Sequence, residues 1–463
     1  MNQDSYPTSR REFLKGALAG AACLGLSGLP LSAFDESRKL PNFVIIYCDD
    51  LGYGDIGCFG SPQIKTPNID RMASEGMLFT DFYSAAPVCT PSRAALMTGC
   101  YPQRVNLPQV INYRSKVGIS DKEITLAQVL KTRGYATACI GKWHLGWQKP
   151  FLPTRHGFDY YYGIPYSNDM DYIEFHTPLM RNEKIIEQPV VQETLTERYT
   201  GEVIKFITEH KDEPFFVYLP HTFPHVPLHA SERFRNKSAY GLYGDVVQCI
   251  DWSTGQILDA LKKLGLDDNT IVMFSSDNGP WMAKDRNAGS AGPLRGGKFQ
   301  TWDGGMREPT IMRWPGHIPA GGRCSEVATT MDVFPTFAKL AGARVPTDRI
   351  IDGKDIRPLM MGKPGAISPH EEFFFYSVNR LEAVRSGKWK LVLPHKDQTT
   401  NEDVPLSLFD LSTDVGETTD LSAKYPSIVK RLQAAADKCR EDLGDKITGV
   451  TGKNVRPCGR VGK

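Results

Sequence analysis

The sequence has 463 residues, 41% of them hydrophobic and 23% charged, with a formal net charge of +2. That composition is ordinary for a folded globular protein and excludes a low-complexity or disordered chain. The near-neutral balance gives no polybasic surface for nucleic acid or anionic lipid, and the length suits one large α/β domain with a smaller one, or about two to three average domains.

Residues 9–33 read SRREFLKGALAGAACLGLSGLPLSA. Arg10 and Arg11 precede Phe13, Leu14, Lys15 and a short apolar stretch, the layout of a bacterial twin-arginine (Tat) export signal. The stretch is short and glycine-rich for a membrane span, and LSA at 31–33 offers a cleavage site. The alternatives are an N-terminal anchor helix or a lipid on Cys23. Export implies a periplasmic or secreted protein in a compartment where disulfides form. Cleavage removes three bases and two acids and leaves a net charge of +1. Nine of the ten cysteines then remain, with no C-x-x-C pair, so no zinc ribbon or thioredoxin motif is present. An odd count leaves at least one outside an internal bridge. Cys89 is the candidate, and a Cys439–Cys458 pair stays open.

Four apolar runs predict buried strands: 43–48, 136–140, 215–219 and 270–274. Amphipathic helices are predicted over 125–134 and 243–265, each stopping at a glycine. The alternation argues for an α/β sandwich with a mostly parallel sheet. After about residue 360, three short strand-like stretches and a closing helix over 426–444 predict a smaller antiparallel subdomain. The predicted division is 1–33 signal, 34–360 catalytic domain and 361–463 C-terminal subdomain.

The residues following each strand carry the chemistry. Asp49 and Asp50 follow the first, Lys142 and His144 the second, His221, His225 and His229 the third, and Asp277 and Asn278 the fourth. In an open α/β sheet, ligands bind beyond the carboxyl ends of strands. Three carboxylates and an amide oxygen suit a hard divalent cation, Ca²⁺ or Mg²⁺. Read singly, DD and DNG are common turn residues. The histidine spacing mimics a helical metal site, but Pro224 and Pro227 exclude a helix there. Lys142 and His144 face one side of an extended segment. Lys298 sits among glycines that let backbone approach a ligand. With an arginine and a cation, these lysines predict a pocket for sulfate or phosphate, although each alone reads as a solvated surface residue.

The segment PVCTPSRAALMTG at 87–99 joins these clusters to a known pattern. CTPSR resembles the C-x-P-x-R modification motif of type I sulfatases. GYATACIGKWHLG, VIIYCDDLGYGDIGCFG, GIPYSNDMD, SSDNGP and GGKFQTWDGGMREPTIMRWPG resemble further blocks of the same enzymes. The chain is identified as an arylsulfatase A-like member of the alkaline-phosphatase superfamily, from about residue 41 to about residue 430. The resemblance implies that Cys89 is oxidised by a formylglycine-generating maturation enzyme to formylglycine, whose hydrate is the nucleophile. It implies a Ca²⁺ held by Asp49, Asp50, Asp277, Asn278 and residue 89. It places Arg93 on residue 89, Lys142 and Lys298 on the sulfate, and His144 on the formylglycine hydroxyls. His225 is near the leaving group, with His221 as the other choice and Lys298 as a further candidate acid. Ser167 lies near the aldehyde.

The chemistry is coherent. Cations and a metal stabilise charge that builds as the ester oxygen leaves sulfur. The second hydroxyl of the hydrate then releases sulfate and restores the aldehyde. Pro91 suits the first turn of a helix with residue 89 at its positive end. Competing readings are a phosphoesterase of the same superfamily, a non-catalytic sulfoglycan-binding protein, and a disulfide at Cys89. The segments 165–184 and 281–293 are expected to shape the pocket, with Asp169, Asp171 and Arg286 read as solvated. Export favours a sulfated glycan over a small aryl sulfate ester, and oxidation of Cys89 before translocation.

Overall fold

The centre of the molecule is a ten-stranded sheet, seen in a computed structural model that describes residues 39–171 and 175–462. The export signal and Cys23 lie outside the described residues. In chain order the strands are β1 (Asn42–Cys48), β2 (Met77–Phe79), β3 (Ala136–Ile140), β4 (Tyr160–Gly163) and β5 (Leu179–Arg181). They continue with β6 (Lys184–Glu187), β7 (Phe215–Pro220), β8 (Thr270–Ser276), β9 (Thr310–Arg313) and β10 (Gly322–Cys324). Their order across the sheet is β10-β2-β9-β8-β1-β7-β3-β4-β5-β6. The five central strands, β8 to β4, run parallel. β9 on one side and β5 on the other turn antiparallel, so the sheet is mixed.

Strand β1 shows why these runs are strands. Every residue of NFVIIYC is buried, and its side chains alternate between two cores. Phe43, Ile45 and Tyr47 join the core of one face, with residues of α2 (Cys89–Thr98), α3 (Leu126–Lys131) and α6 (Val333–Leu340). Val44, Ile46 and Cys48 join the other, with α1 (Pro67–Ser74), α4 (Leu195–Glu209) and α5 (Gly241–Lys263). Thr125 and Gln128 form a capping box that starts α3. The predicted helix over 125–134 is thus shorter, with its last residues in a turn ending at Gly134, φ +79°. Among the described residues no helix is long and apolar enough to cross a membrane.

A second sheet comprises β11 (Phe373–Ser377), β12 (Arg380–Ser386), β13 (Trp389–Val392) and β14 (Ser407–Asp410), all antiparallel. The closing helix α7 (Pro426–Leu443) buries Val429, Leu432 and Ala436 in one core with Phe375, Val384 and Leu391. Residues 40–463 form one compact unit. Cys439 and Cys458 are both free thiols, as is Cys89.

Candidate active site

Backbone hydrogen bonds continue past the ends of the central strands. Asp277 donates its N–H to the Cys48 carbonyl at 3.1 Å, His221 to Tyr47 at 2.8 Å, and Lys142 to Pro220 at 2.7 Å. Asp49 donates to the Phe223 carbonyl at 3.2 Å. Four predicted clusters are therefore side by side at one sheet edge. Asp50, His144 and Phe299 all have positive φ there, at 64°, 59° and 75°. Such strain in non-glycine residues collects at functional sites.

Cys89 is the first residue of α2, after an extended Val88. Pro91 fits the first turn because no intrahelical acceptor is needed for it. Ser92 is held from both sides, by Tyr47 Oη and Ser84 Oγ, each at 2.8 Å. Burial pushes the Cys89 thiol up to about 11, against the pull of Lys142 and Lys298. At neutral pH it is a protonated thiol and a weak nucleophile.

The charged groups form one buried network. Arg93 donates from Nε and Nη2 to Asp277 Oδ2 at 3.0 and 2.7 Å, and from Nη1 to the Lys142 carbonyl at 2.9 Å. The donors of Arg93 thus go to a carboxylate and a backbone oxygen behind residue 89. Lys142 Nζ contacts Asp49 Oδ2 and donates to Ser167 Oγ at 3.0 Å. Lys298 Nζ donates to Asp50 Oδ2 at 2.8 Å. Asn278 Nδ2 donates to Asp50 Oδ1 at 2.8 Å. Burial works against the Asp49 carboxylate, but the cations around it, Lys142 foremost, hold it below its usual range. Burial and the neighbouring Asp49 raise Asp277 to about 7. Three carboxylates face three cations, Arg93, Lys142 and Lys298, with their side chains at most 4% exposed.

Two oxygens in this network accept nothing. Asp49 Oδ1 and Asn278 Oδ1 are buried without a hydrogen-bond partner. An orphaned carboxylate oxygen and an orphaned amide oxygen beside Asp50 and Asp277 fit a hard, oxygen-liganded cation. His225 borders the same cluster. Its Nε2 is 3.7 Å from Asp50 Oδ2, and these ligand atoms with one of Asp49 lie within 4.8 Å of one another.

The histidines separate by their partners. His225 Nδ1–H donates to the Val226 carbonyl at 2.5 Å, leaving Nε2 turned to the cluster. Burial, then Lys298, lowers its pKa. His144 Nε2–H donates to the Ile111 carbonyl at 2.8 Å, and its buried Nδ1 has no partner. Burial, then Lys142 and Arg93, keeps that ring neutral. Thr90 Oγ1 donates to the His144 carbonyl at 3.0 Å and ties it to α2. His221 is fully buried with neither ring nitrogen partnered, and burial alone lowers it to about 3. His229 pairs with Glu193 at 2.9 Å, away from the cluster. Asp171 is bonded to His176 at 2.8 Å, and Arg286 is exposed.

The loop carrying Lys298 depends on the second sheet. Lys390, on β13, donates to the Thr301 carbonyl and Asp303 Oδ1, both at 2.9 Å, and pairs with Glu417 at 2.8 Å. Thr301 bonds Glu382 and Gln300 bonds Asp397, each at 2.8 Å. Nothing in the sequence points to these supports. Trp281, the first residue of the 281–293 segment expected to shape the pocket, stands beside His225 and Lys298.

A buried, charge-balanced oxygen cage at the strand ends of an alkaline-phosphatase-like α/β fold defines an ester hydrolase acting on an anionic tetrahedral group. The chain belongs to the sulfatase family: the family described as Sulfatase matches residues 41–343, and the C-terminal region of aryl-sulfatase matches residues 368–461. It is similar to arylsulfatase A of Bos taurus, 39% identical over 85% of each chain. It is also similar to N-acetylgalactosamine-6-sulfatase of Mus musculus, 42% identical over 79% of this chain and 74% of that one. A crystal structure of Ps i-CgsB in complex with k-i-k-neocarrahexaose superposes with a TM-score of 0.77 at 32% identity, covering 87% of this chain and 93% of that chain. The protein is an arylsulfatase A-like sulfatase that hydrolyses sulfate esters.

Proposed function

We propose that this sulfatase removes sulfate from a sulfated carbohydrate, using formylglycine made from Cys89 and a Ca²⁺ in the oxygen cage. The observation that carries the reading is the pair of orphaned oxygens, Asp49 Oδ1 and Asn278 Oδ1, next to a buried thiol that is itself a weak nucleophile. The cation would be held by Asp49, Asp50, Asp277 and Asn278 together with residue 89, and when bound it supplies Lewis acidity and positive charge. The aldehyde hydrate supplies the attacking hydroxyl.

The remaining steps belong to the chain's own side chains. The three carboxylates and three cations balance, so a bound dication leaves the site positive and ready for an anionic ester. Lys142 and Lys298 bind and orient sulfate oxygens in a pocket shielded from water, where such contacts count for more than in solvent. The Nδ1 of His144 accepts a proton from a residue-89 hydroxyl, with Ile111 fixing the ring. Lys298 Nζ, or His225 Nε2 when the ring carries a second proton, gives a proton to the leaving oxygen. Arg93 holds Asp277 in place through two donors.

The carbohydrate substrate is supported by the carrageenan-oligosaccharide complex and the N-acetylgalactosamine-6-sulfatase similarity. Arg10 and Arg11 support Tat export to the periplasm or beyond, after a maturation enzyme has acted on Cys89. The test is the mass of the Cys89 peptide together with sulfate release from a panel of monosulfated sugars. Aldehyde at residue 89 with release from a sugar is expected. A free thiol in fully active protein overturns the formylglycine step, and activity confined to aryl sulfates overturns the substrate.

A further inference from the structure

The leaving-group side of the site has a wall that sulfate chemistry does not use. Trp281 follows the turn formed by Asp277, Asn278, Gly279 and Pro280. Gly279 donates to the Gly305 carbonyl at 3.1 Å, and a Cβ at this glycine would overlap the Gly304 carbonyl oxygen. Pro280 accepts from the Lys298 N–H at 2.9 Å. The indole is therefore fixed against the catalytic groups. Its ring is 5.8 Å from the His225 ring and 4.6 Å from Lys298 Nζ, and Phe299 meets it edge-on at 5.5 Å.

Trp281 is nonetheless half-buried, and its indole N–H donates to no group among the described residues. Lys284 Nζ lies 4.1 Å from the centre of the ring. Among the described residues Lys284 has no carboxylate partner, and its ammonium rests on the indole. A cation on an aromatic face near solvent is held weakly, so an anion can draw it off. An indole presents a flat apolar face to the C–H face of a sugar ring. Arg93, Lys142 and Lys298 are paired with the buried carboxylates, and Lys284 takes no part in those pairs, so it is a further positive charge beside the indole.

We propose that Trp281 and Lys284 form a subsite for an anionic sugar unit next to the sulfated one. The ring packs on the indole, and the carboxylate or second sulfate pairs with Lys284. This rests on the sulfated-carbohydrate reading above. It names the class of glycan more narrowly: a polyanionic one, in preference to a neutral sulfated sugar or a steroid.

Binding can be read without turnover in Cys89→Ala protein loaded with Ca²⁺. The probes are a sulfated N-acetylhexosamine linked to a hexuronate, its analogue linked to a neutral hexose, and 4-nitrophenyl sulfate. Calorimetric titration at low salt is expected to favour the hexuronate by about fivefold, an advantage that shrinks as salt is raised. Lys284→Ala removes that preference and Lys284→Arg restores it. Trp281→Ala weakens both disaccharides. Equal affinity for the two disaccharides with Lys284 present, or a preference that survives Lys284→Ala, overturns the proposal. Binding of the aryl sulfate with neither disaccharide bound overturns the carbohydrate reading itself, and the subsite with it.

Discussion

Arg93 and Asp277 form a two-donor ion pair in which neither side chain has any solvent exposure. One partner comes from α2, four residues after Cys89, and the other from the end of β8. The pair joins the helix bearing residue 89 to the buried carboxylates at the strand ends. Removing the arginine strands a buried carboxylate. Arg93→Ala is therefore expected to cost about 3–5 kcal/mol of stability. Arg93→Lys should recover little, because a lysine cannot make the fork. Denaturant unfolding checks this, and an unchanged midpoint in Arg93→Ala would contradict it.

Chelation should act on both function and stability. The Asp49 and Asn278 oxygens without a hydrogen-bond partner are the groups the proposed cation would satisfy. At a hundredfold excess over its Kd, such an ion stabilises by about 2.7 kcal/mol, on the order of 3 °C in Tm for a chain this long. EDTA is expected to abolish sulfate release and lower the unfolding temperature, and added Ca²⁺ to restore both. A chelated protein with full activity and the same melting curve would refute the metal assignment.

The strand ends were legible because two signals coincided there. Runs such as FVIIYC are fully buried parallel strands, and each is followed by residues that rarely go inside unless paired. Hence Asp49, Asp50, Lys142, Asp277 and Asn278 could be gathered before any coordinates. The edge strands β2, β5, β6, β9 and β10 were not legible. They are three or four residues long, too short for a period to show. The choice between His221 and His225 also needed coordinates, because it depends on partners: His225 borders Asp50, and the ring nitrogens of His221 have no hydrogen-bond partner. Long-range supports such as Lys390 leave no mark near the motif they serve.

Lys390 shows how far the second sheet reaches. It is fully buried between Asp303 and Glu417 and also holds the Thr301 carbonyl. Burial raises Glu417 to about 7 even with Lys390 beside it. Lys390→Met leaves Glu417 without its cation and Asp303 with Arg307 alone, and about 3–5 kcal/mol of destabilisation is expected. Because Lys298 is on the same loop, kcat/KM should fall about tenfold even at temperatures where the variant is folded. Circular dichroism and steady-state kinetics on one preparation separate the two effects. Normal kinetics in folded Lys390→Met would show that the sheet does not position Lys298.

Acid stability should carry the signature of His156, which bonds none of the cage residues. Its Nε2–H donates to the Pro150 carbonyl at 3.1 Å, its Nδ1 is buried without a partner, and its ring stacks on Trp143. Burial lowers its pKa to about 4 from an ordinary 6.5. The unfolded chain takes up a proton here as pH drops through 6.5, whereas the folded chain resists until about 4. Protons therefore bind the unfolded state preferentially in this window, and stability is full above 6.5 and falls towards 4. The loss from this residue is about 3 kcal/mol. His156→Gln keeps a donor for Pro150 but cannot titrate. Its unfolding free energy should fall less steeply with acid, by about 1.4 kcal/mol per pH unit in that interval. Urea unfolding at several pH values from 4 to 7 measures the slope, and parallel curves for the two proteins would rule the residue out as the acid-labile element.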